Sequence, residues 1–237
     1  MLLFDLKNNK IKHIFLSGGG GSGDSVLLDK EFIKELKAHK RLLYIPVAMD
    51  QNFLNYESCY DWIAKTIGDI TDDLIDIVMW TDLRNKIIDD LSKFDALYIG
   101  GGNTFKLLQI ISETGFIEVL KEFILKGGIV YGGSAGAIIL GKSINTVTEE
   151  NDNSYHFEDG LGVIGDYSVI CHYQNSLDIK IIEYIKKYNN PVMALPEKTG
   201  LIVNNGEVKV YGFQSAFLFE VSMNKKELSV GSTFSLQ

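Results

Sequence analysis

The chain is 237 residues long, 46% hydrophobic and 23% charged, the profile of a globular protein able to bury one full core. A net charge of −8, with Arg41 and Arg84 as its two arginines, excludes nucleic-acid binding that rests on a basic surface. Cys59 and Cys171 lie far apart, which excludes a disulfide scaffold or zinc ribbon and fits a reduced, cytoplasmic protein.

The apolar start, Met1 to Phe4, meets Asp5 and Lys7 at once and is too short for an export signal. Apolar runs at 11–17, 41–47, 74–80, 95–100 and 128–131 read as buried strands. Between them, 26–39, 53–67, 83–91 and 104–126 carry apolar residues at helical spacing, the last dividing at Thr114-Gly115. This alternation predicts an α/β fold with a mostly parallel sheet and helices on both faces. Functional loops then belong at the C-terminal ends of the strands. The uncharged stretch 127–141 is broken by glycines and Ser134, so no membrane span is expected.

After residue 142 the texture changes. A polar, acidic connection covers 148–160, followed by a strand at 169–172 and a helix at 177–188. Runs at 201–203 and 208–211 flank Asn205-Gly206 and read as a hairpin, with a further strand at 217–221. The expectation is a single domain over 1–237 with a β-rich C-terminal elaboration from about residue 190.

Gly132-Gly133-Ser134-Ala135-Gly136 lies between an apolar strand and an apolar helix. Glycines two before and two after the serine permit a sharp strand-to-helix turn that exposes Oγ above helix N-terminal N–H groups. Serine needs a base to act as a nucleophile. Of four histidines, His13 falls within a strand pattern and His39 at a helix end. His156 lies in the acidic connection, and His172 at the end of a strand, the edge where Ser134 should emerge. His172 is the favoured base. Glu197, after the apolar run that ends in Leu195-Pro196, is the candidate to orient it. Gly100-Gly101-Gly102-Asn103-Thr104 matches no dinucleotide or phosphate-loop pattern. It suits an oxyanion-hole loop, with Gly101 or Gly102 facing the N–H of Ala135. The glycine-rich stretch 17–23 bounds the site or forms a flexible lip, with no catalytic role.

Gly-Gly-Gly-Asn-Thr-Phe-x-Leu-Leu at 100–108, Gly-Gly-Ser-Ala-Gly-Ala at 132–137, His172-Tyr173 and Ala194-Leu195-Pro196-Glu197 together resemble the peptidase E (aspartyl dipeptidase) family. Cyanophycinase is a more distant relative. The resemblance implies a flavodoxin-like α/β fold related to class I glutamine amidotransferases, with a Ser-His-Glu catalytic set and neither metal nor cofactor. Chain order agrees with this, since α/β-hydrolases place the acid before the histidine. Ser134 departs from the cysteine of the amidotransferases.

The expected activity is serine exopeptidase or dipeptidase chemistry on a small peptide, through an acyl-enzyme on Ser134. Asn103 and Glu149 are candidate substrate contacts, with Glu150 and Asp152 near the latter. No arginine falls near the motifs, and Lys142 and Lys198 are weaker substitutes. Only a shallow preference for an N-terminal aspartate is therefore expected. A cyanophycinase-like hydrolase of β-aspartyl peptides and a non-catalytic ligand-binding relative are the alternatives. Neither nucleic acid nor membrane is an expected partner, and the sequence leaves a homo-oligomer open.

Overall fold

Neighbouring side chains on a strand face opposite sides of the sheet, and here both sides are apolar. In a computed structural model, which describes residues 13–36, 40–148 and 155–236, this divides the core into two layers. The strands β1 (Ile14–Ser17), β2 (Arg41–Ile45), β3 (Asp76–Met79), β4 (Ala96–Ile99) and β5 (Ile129–Gly133) form the parallel centre. Ile14, Leu43, Leu97 and Val130 bury into one layer. Their neighbours Phe15, Leu42, Tyr98 and Tyr131 bury into the other. Strands buried on both faces read as the continuous apolar runs seen in the sequence.

Helices α1 (Ser22–Ile33) and α2 (Tyr56–Gly68) cover the aromatic layer through Leu28, Phe32, Cys59, Ile63 and Ile67. The opposite layer is covered by α3 (Ile88–Leu91), α4 (Thr104–Glu113), α5 (Phe116–Leu125) and α6 (Ala135–Leu140). Gly115, at φ 72°, divides α4 from α5 as the sequence suggested. The strands β8 (Thr199–Asn204), β9 (Glu207–Gly212) and β12 (Thr233–Ser235) extend this sheet beyond β1 with antiparallel pairing. The eight-stranded order is β12-β9-β8-β1-β5-β4-β2-β3. The parallel, helix-covered centre agrees with the flavodoxin-like expectation.

A second sheet was not foreseen. It contains β6 (Ser168–Ile170), β7 (Val192–Ala194), β10 (Ala216–Phe219) and β11 (Lys225–Leu228), ordered β11-β10-β7-β6. Helix α7 (Asp178–Tyr188) packs Ile181 and Ile185 on one face, against Ile170, Val192 and Phe219. Val169, Met193 and Leu218 on the other face join the core of the first sheet. The run expected at 217–221 is β10 and belongs here.

Two helix expectations need correction. Helix α1 starts at Ser22, four residues before the expected 26, because the Asp24 carboxylate accepts from the Gly21 N–H at 2.9 Å and caps the first turn. The end of that expected segment, at 37–39 with His39, lies outside the described residues. Only Ile88–Leu91 of the segment 83–91 is helical, since Asn85 takes a left-handed φ of 59°. Among the described residues, no helix is long and apolar enough to cross a membrane.

Candidate active site

The turn from β5 into α6 is built on missing side chains. A Cβ on Gly132 would lie 2.5 Å from the backbone of Gly136, and one on Gly136 would lie 2.3 Å from the carbonyl oxygen of Ile99. Ser134 sits at the apex with φ 48° and ψ −109°, a conformation that costs about 1–3 kcal/mol. Its N–H donates to the Ser17 carbonyl at 3.1 Å, which ties the strained turn to β1.

Ser134 Oγ lies 2.9 Å from Nε2 of His172, and His172 Nδ1 lies 2.9 Å from Oε1 of Glu197. An ionised carboxylate only accepts hydrogen bonds, so Nδ1 carries the ring proton and Nε2 is left to accept from the serine hydroxyl. His172 follows β6 and Glu197 follows β7, so the pair comes from the second sheet and the serine from the first. Leu195 N–H donates to Ile170 and Tyr173 N–H to Leu195, holding the two loops in register. The side chains of His172 and Glu197 are 50% and 53% exposed, so water screens their attraction and geometry is its main contribution.

Of the two readings of the glycine-rich stretch 17–23, a boundary of the site or a flexible lip, the first holds at Gly18 and Gly19, which pack on His172. Gly18 accepts from the His172 N–H at 2.9 Å, while a Cβ on Gly19 would meet the ring at 2.3 Å. Across the site, a Cβ on Gly101 would fall 3.3 Å from that of Ser134. A Cβ on Gly102, which sits at φ 131°, would fall 2.4 Å from the Ala48 carbonyl oxygen. Among the described residues no backbone carbonyl accepts from Gly101 or Gly102 N–H, and Ala135 contributes the first N–H of α6. These are donors of the kind an oxyanion requires.

A cavity of about 390 Å³ opens beside Ser134, walled by Tyr44, Met49, Leu54, Cys59, Trp62 and Tyr98. Burial raises the phenols of Tyr44 and Tyr98, so both stay neutral. Ser25 lines the cavity and donates to Asp29 at 2.7 Å, and Tyr131 donates to the other carboxylate oxygen at 2.6 Å. On the Glu197 side of His172, a smaller depression of about 250 Å³ is bordered by Gln174, Pro196, Glu197, Lys198 and Gln214.

Other candidates are not members of the hydrogen-bonded Ser134–His172–Glu197 chain. Asn103 caps α4, its Oδ1 accepting from Lys106 N–H at 2.9 Å. Glu149, Glu150 and Asp152 lie outside the described residues. His156 is exposed in an irregular segment, and His13 lies 3.5 Å from Glu35. Lys142 pairs with Asp166 at 3.1 Å, and Lys198 lies 3.7 Å from Asp24. Among the described residues, no group of three or more His, Cys, Asp and Glu could hold a metal ion. Sequence reasoning missed the contact of Gly18 and Gly19 with His172, and the cavity wall. The wall residues come from segments that read as ordinary core.

The sequence model of peptidase family S51 matches residues 14–211. A protein named peptidase E from Streptomyces coelicolor is 26% identical over 84% of this chain and 83% of its own length. One named "Probable alpha-aspartyl dipeptidase" from Drosophila melanogaster is 27% identical over 62% of this chain and 66% of its own. The crystal structure of a peptidase from an acI-B1 actinobacterium superposes with a TM-score of 0.75 at 20% identity, covering 97% of this chain and 98% of that one. That likeness is one of fold.

Proposed function

Because the chain belongs to peptidase family S51, we propose that it is a serine dipeptidase that hydrolyses short peptides through an acyl-enzyme on Ser134. The relatives named peptidase E and alpha-aspartyl dipeptidase support this class of substrate. The observation that carries the reading is the unbroken chain from Ser134 Oγ to His172 to Glu197, with both links at 2.9 Å.

In this reading Ser134 Oγ attacks the scissile carbonyl while His172 Nε2 takes its proton. Glu197 holds Nδ1–H and stabilises the imidazolium. Negative charge on the carbonyl oxygen falls to the N–H groups of Ala135 and of Gly101 or Gly102. His172 then returns the proton to the leaving amine as the C–N bond breaks, and the acyl group stays on Ser134. Water, deprotonated by the same Nε2, releases the acid and restores the serine. The core that joins both sheets from Ile14 to Leu218 supports reading 1–237 as one domain. The buried free thiols of Cys59 and Cys171 fit a reducing, cytoplasmic setting.

A serine-directed fluorophosphonate tests this directly. The wild type is expected to be labelled and to hydrolyse a dipeptide library, while Ser134→Ala loses both at unchanged fold. A variant that keeps a tenth or more of the rate, on the order expected only for a bystander, would remove Ser134 as the nucleophile.

A further inference from the structure

Tyr131 precedes Ser134 on the same strand and stands at the centre of a row of rings. It pairs in register with Phe15 of β1 and Tyr98 of β4. Its ring stacks on that of Tyr98 at 4.3 Å and on that of Phe15 at 6.3 Å. Into this aromatic layer α1 projects a carboxyl group. Asp29 is 2% exposed, and it accepts from the Tyr131 hydroxyl at 2.6 Å and from Ser25 at 2.7 Å. Burial raises it to about 6, so above that pH the ionised group weakens the fold. An apolar side chain there would avoid this cost. Core packing alone does not explain the acid.

From Tyr131 the contacts lead to both catalytic side chains. The Ser17 hydroxyl interacts with the same phenol from β1. The Ser17 carbonyl accepts from Ser134 N–H at 3.1 Å, and its Oγ accepts from Gly19 N–H at 3.4 Å. Gly19 in turn backs the imidazole, and the Gly18 carbonyl accepts from His172 N–H. The 2.9 Å between Ser134 Oγ and His172 Nε2 therefore spans two backbone segments that meet at Ser17.

We infer that Asp29 is a positioning residue for hydrolysis. Through Tyr131 and Ser17 it holds the Ser134 turn and the Gly18-Gly19 segment so that Oγ meets Nε2. Asp29 does not line the cavity and acts only through these neighbours. The inference rests on the reading of Ser134 as nucleophile and His172 as base.

The rate of fluorophosphonate labelling tests this, because it reads the nucleophile without peptide binding. In folded Asp29→Ala protein the labelling rate and kcat are expected to fall by about tenfold or more, with KM for a dipeptide nearly constant. Asp29→Asn keeps partners for both hydroxyls and should restore most of the loss. Tyr131→Phe breaks the same chain, so combining it with Asp29→Ala should add little. Leu120→Ala opens the core at α5, a helix that does not line the cavity. It should lower thermal stability yet label at the wild-type rate.

The inference is overturned if folded Asp29→Ala labels as fast as wild type, or if Asp29→Asn is as slow as Asp29→Ala. Equal slowing in Leu120→Ala would also overturn it, by reducing the effect to lost stability. Should Asp29→Ala fail to fold, labelling of Tyr131→Phe at the wild-type rate overturns it in the same way. Wild-type protein that takes no label and cleaves no dipeptide would instead overturn the catalytic reading.

Discussion

Gly19 lies against the imidazole of His172 so closely that a methyl group on its Cα would come within 2.3 Å of Cε1. The ring therefore has backbone on one side and Ser134 and Glu197 at its two nitrogens. Gly19→Ala should push the ring off Ser134 and strain a backbone at φ 98°. We expect kcat to fall by about 30-fold or more, because a displacement near 1 Å can cost about a hundredfold. Thermal unfolding should show a modest loss of about 1–2 kcal/mol. Full activity in a folded Gly19→Ala protein would show that the imidazole does not need this backing.

The two histidines nearest to the chemistry in sequence are separated by substitution. His172→Ala should lose of order 10³-fold in kcat. His156→Ala, at an exposed position, should change KM at most. Steady-state kinetics on both variants would reassign the base if His156→Ala were the inactive one.

Glu197→Gln keeps an oxygen for Nδ1–H and removes the charge that stabilises the imidazolium. A buried triad acid can be worth about 10⁴ in kcat. Glu197 is 53% exposed, so screening should reduce the effect to about 10–10²-fold. The loss should appear in kcat with KM nearly constant. A change under about twofold would leave Glu197 no part in catalysis.

Asp29 gives a stability signature with a definite sign. Burial, opposed by the Tyr131 and Ser25 hydroxyls, raises its carboxyl from 3.8 to about 6. Between those values the folded protein keeps a proton that the unfolded chain has released. Its contribution to stability is therefore full below pH 3.8, declines as pH rises and is lost above about 6. Asp29→Asn can satisfy both hydroxyls without a charge. It should be more stable than wild type at pH 8 by roughly 2 kcal/mol, with the difference shrinking towards pH 4. Urea unfolding at the two pH values checks this, and a pH-independent difference would show that Asp29 does not titrate in that window.

The parts legible in the sequence are those set by local sterics. The glycines around Ser134 announced a turn that no side chain could occupy, and the contacts at Gly132 and Gly136 give the reason. His172 and Glu197 stood out as polar residues straight after short apolar runs. Strands were legible at 169–172 and 217–221, but their assembly into a second sheet was not, because β6 and β7 are three residues each and the sheet is defined by partners distant in the chain. Lys225-Lys226-Glu227 in β11 carries no apolar alternation, as suits an edge strand guarded by charge. The apolar spacing at 83–91 pointed to a helix, but the left-handed Asn85 breaks it. Tyr44, Trp62 and Cys59 looked like core, and their shared cavity follows only from β2 and α2 packing side by side.

Strand β1 is the first of the described strands to be made, yet both of its partners come much later in the chain. Its neighbours are β5, from Val130, and β8, from Gly200, so it emerges from a ribosome with both edges bare and waits roughly a hundred residues for the first partner. Such non-local pairing makes folding slow and leaves an apolar edge open to other chains meanwhile. A chain cut short before β8 would keep one edge of β1 exposed and should aggregate rather than persist as a smaller unit.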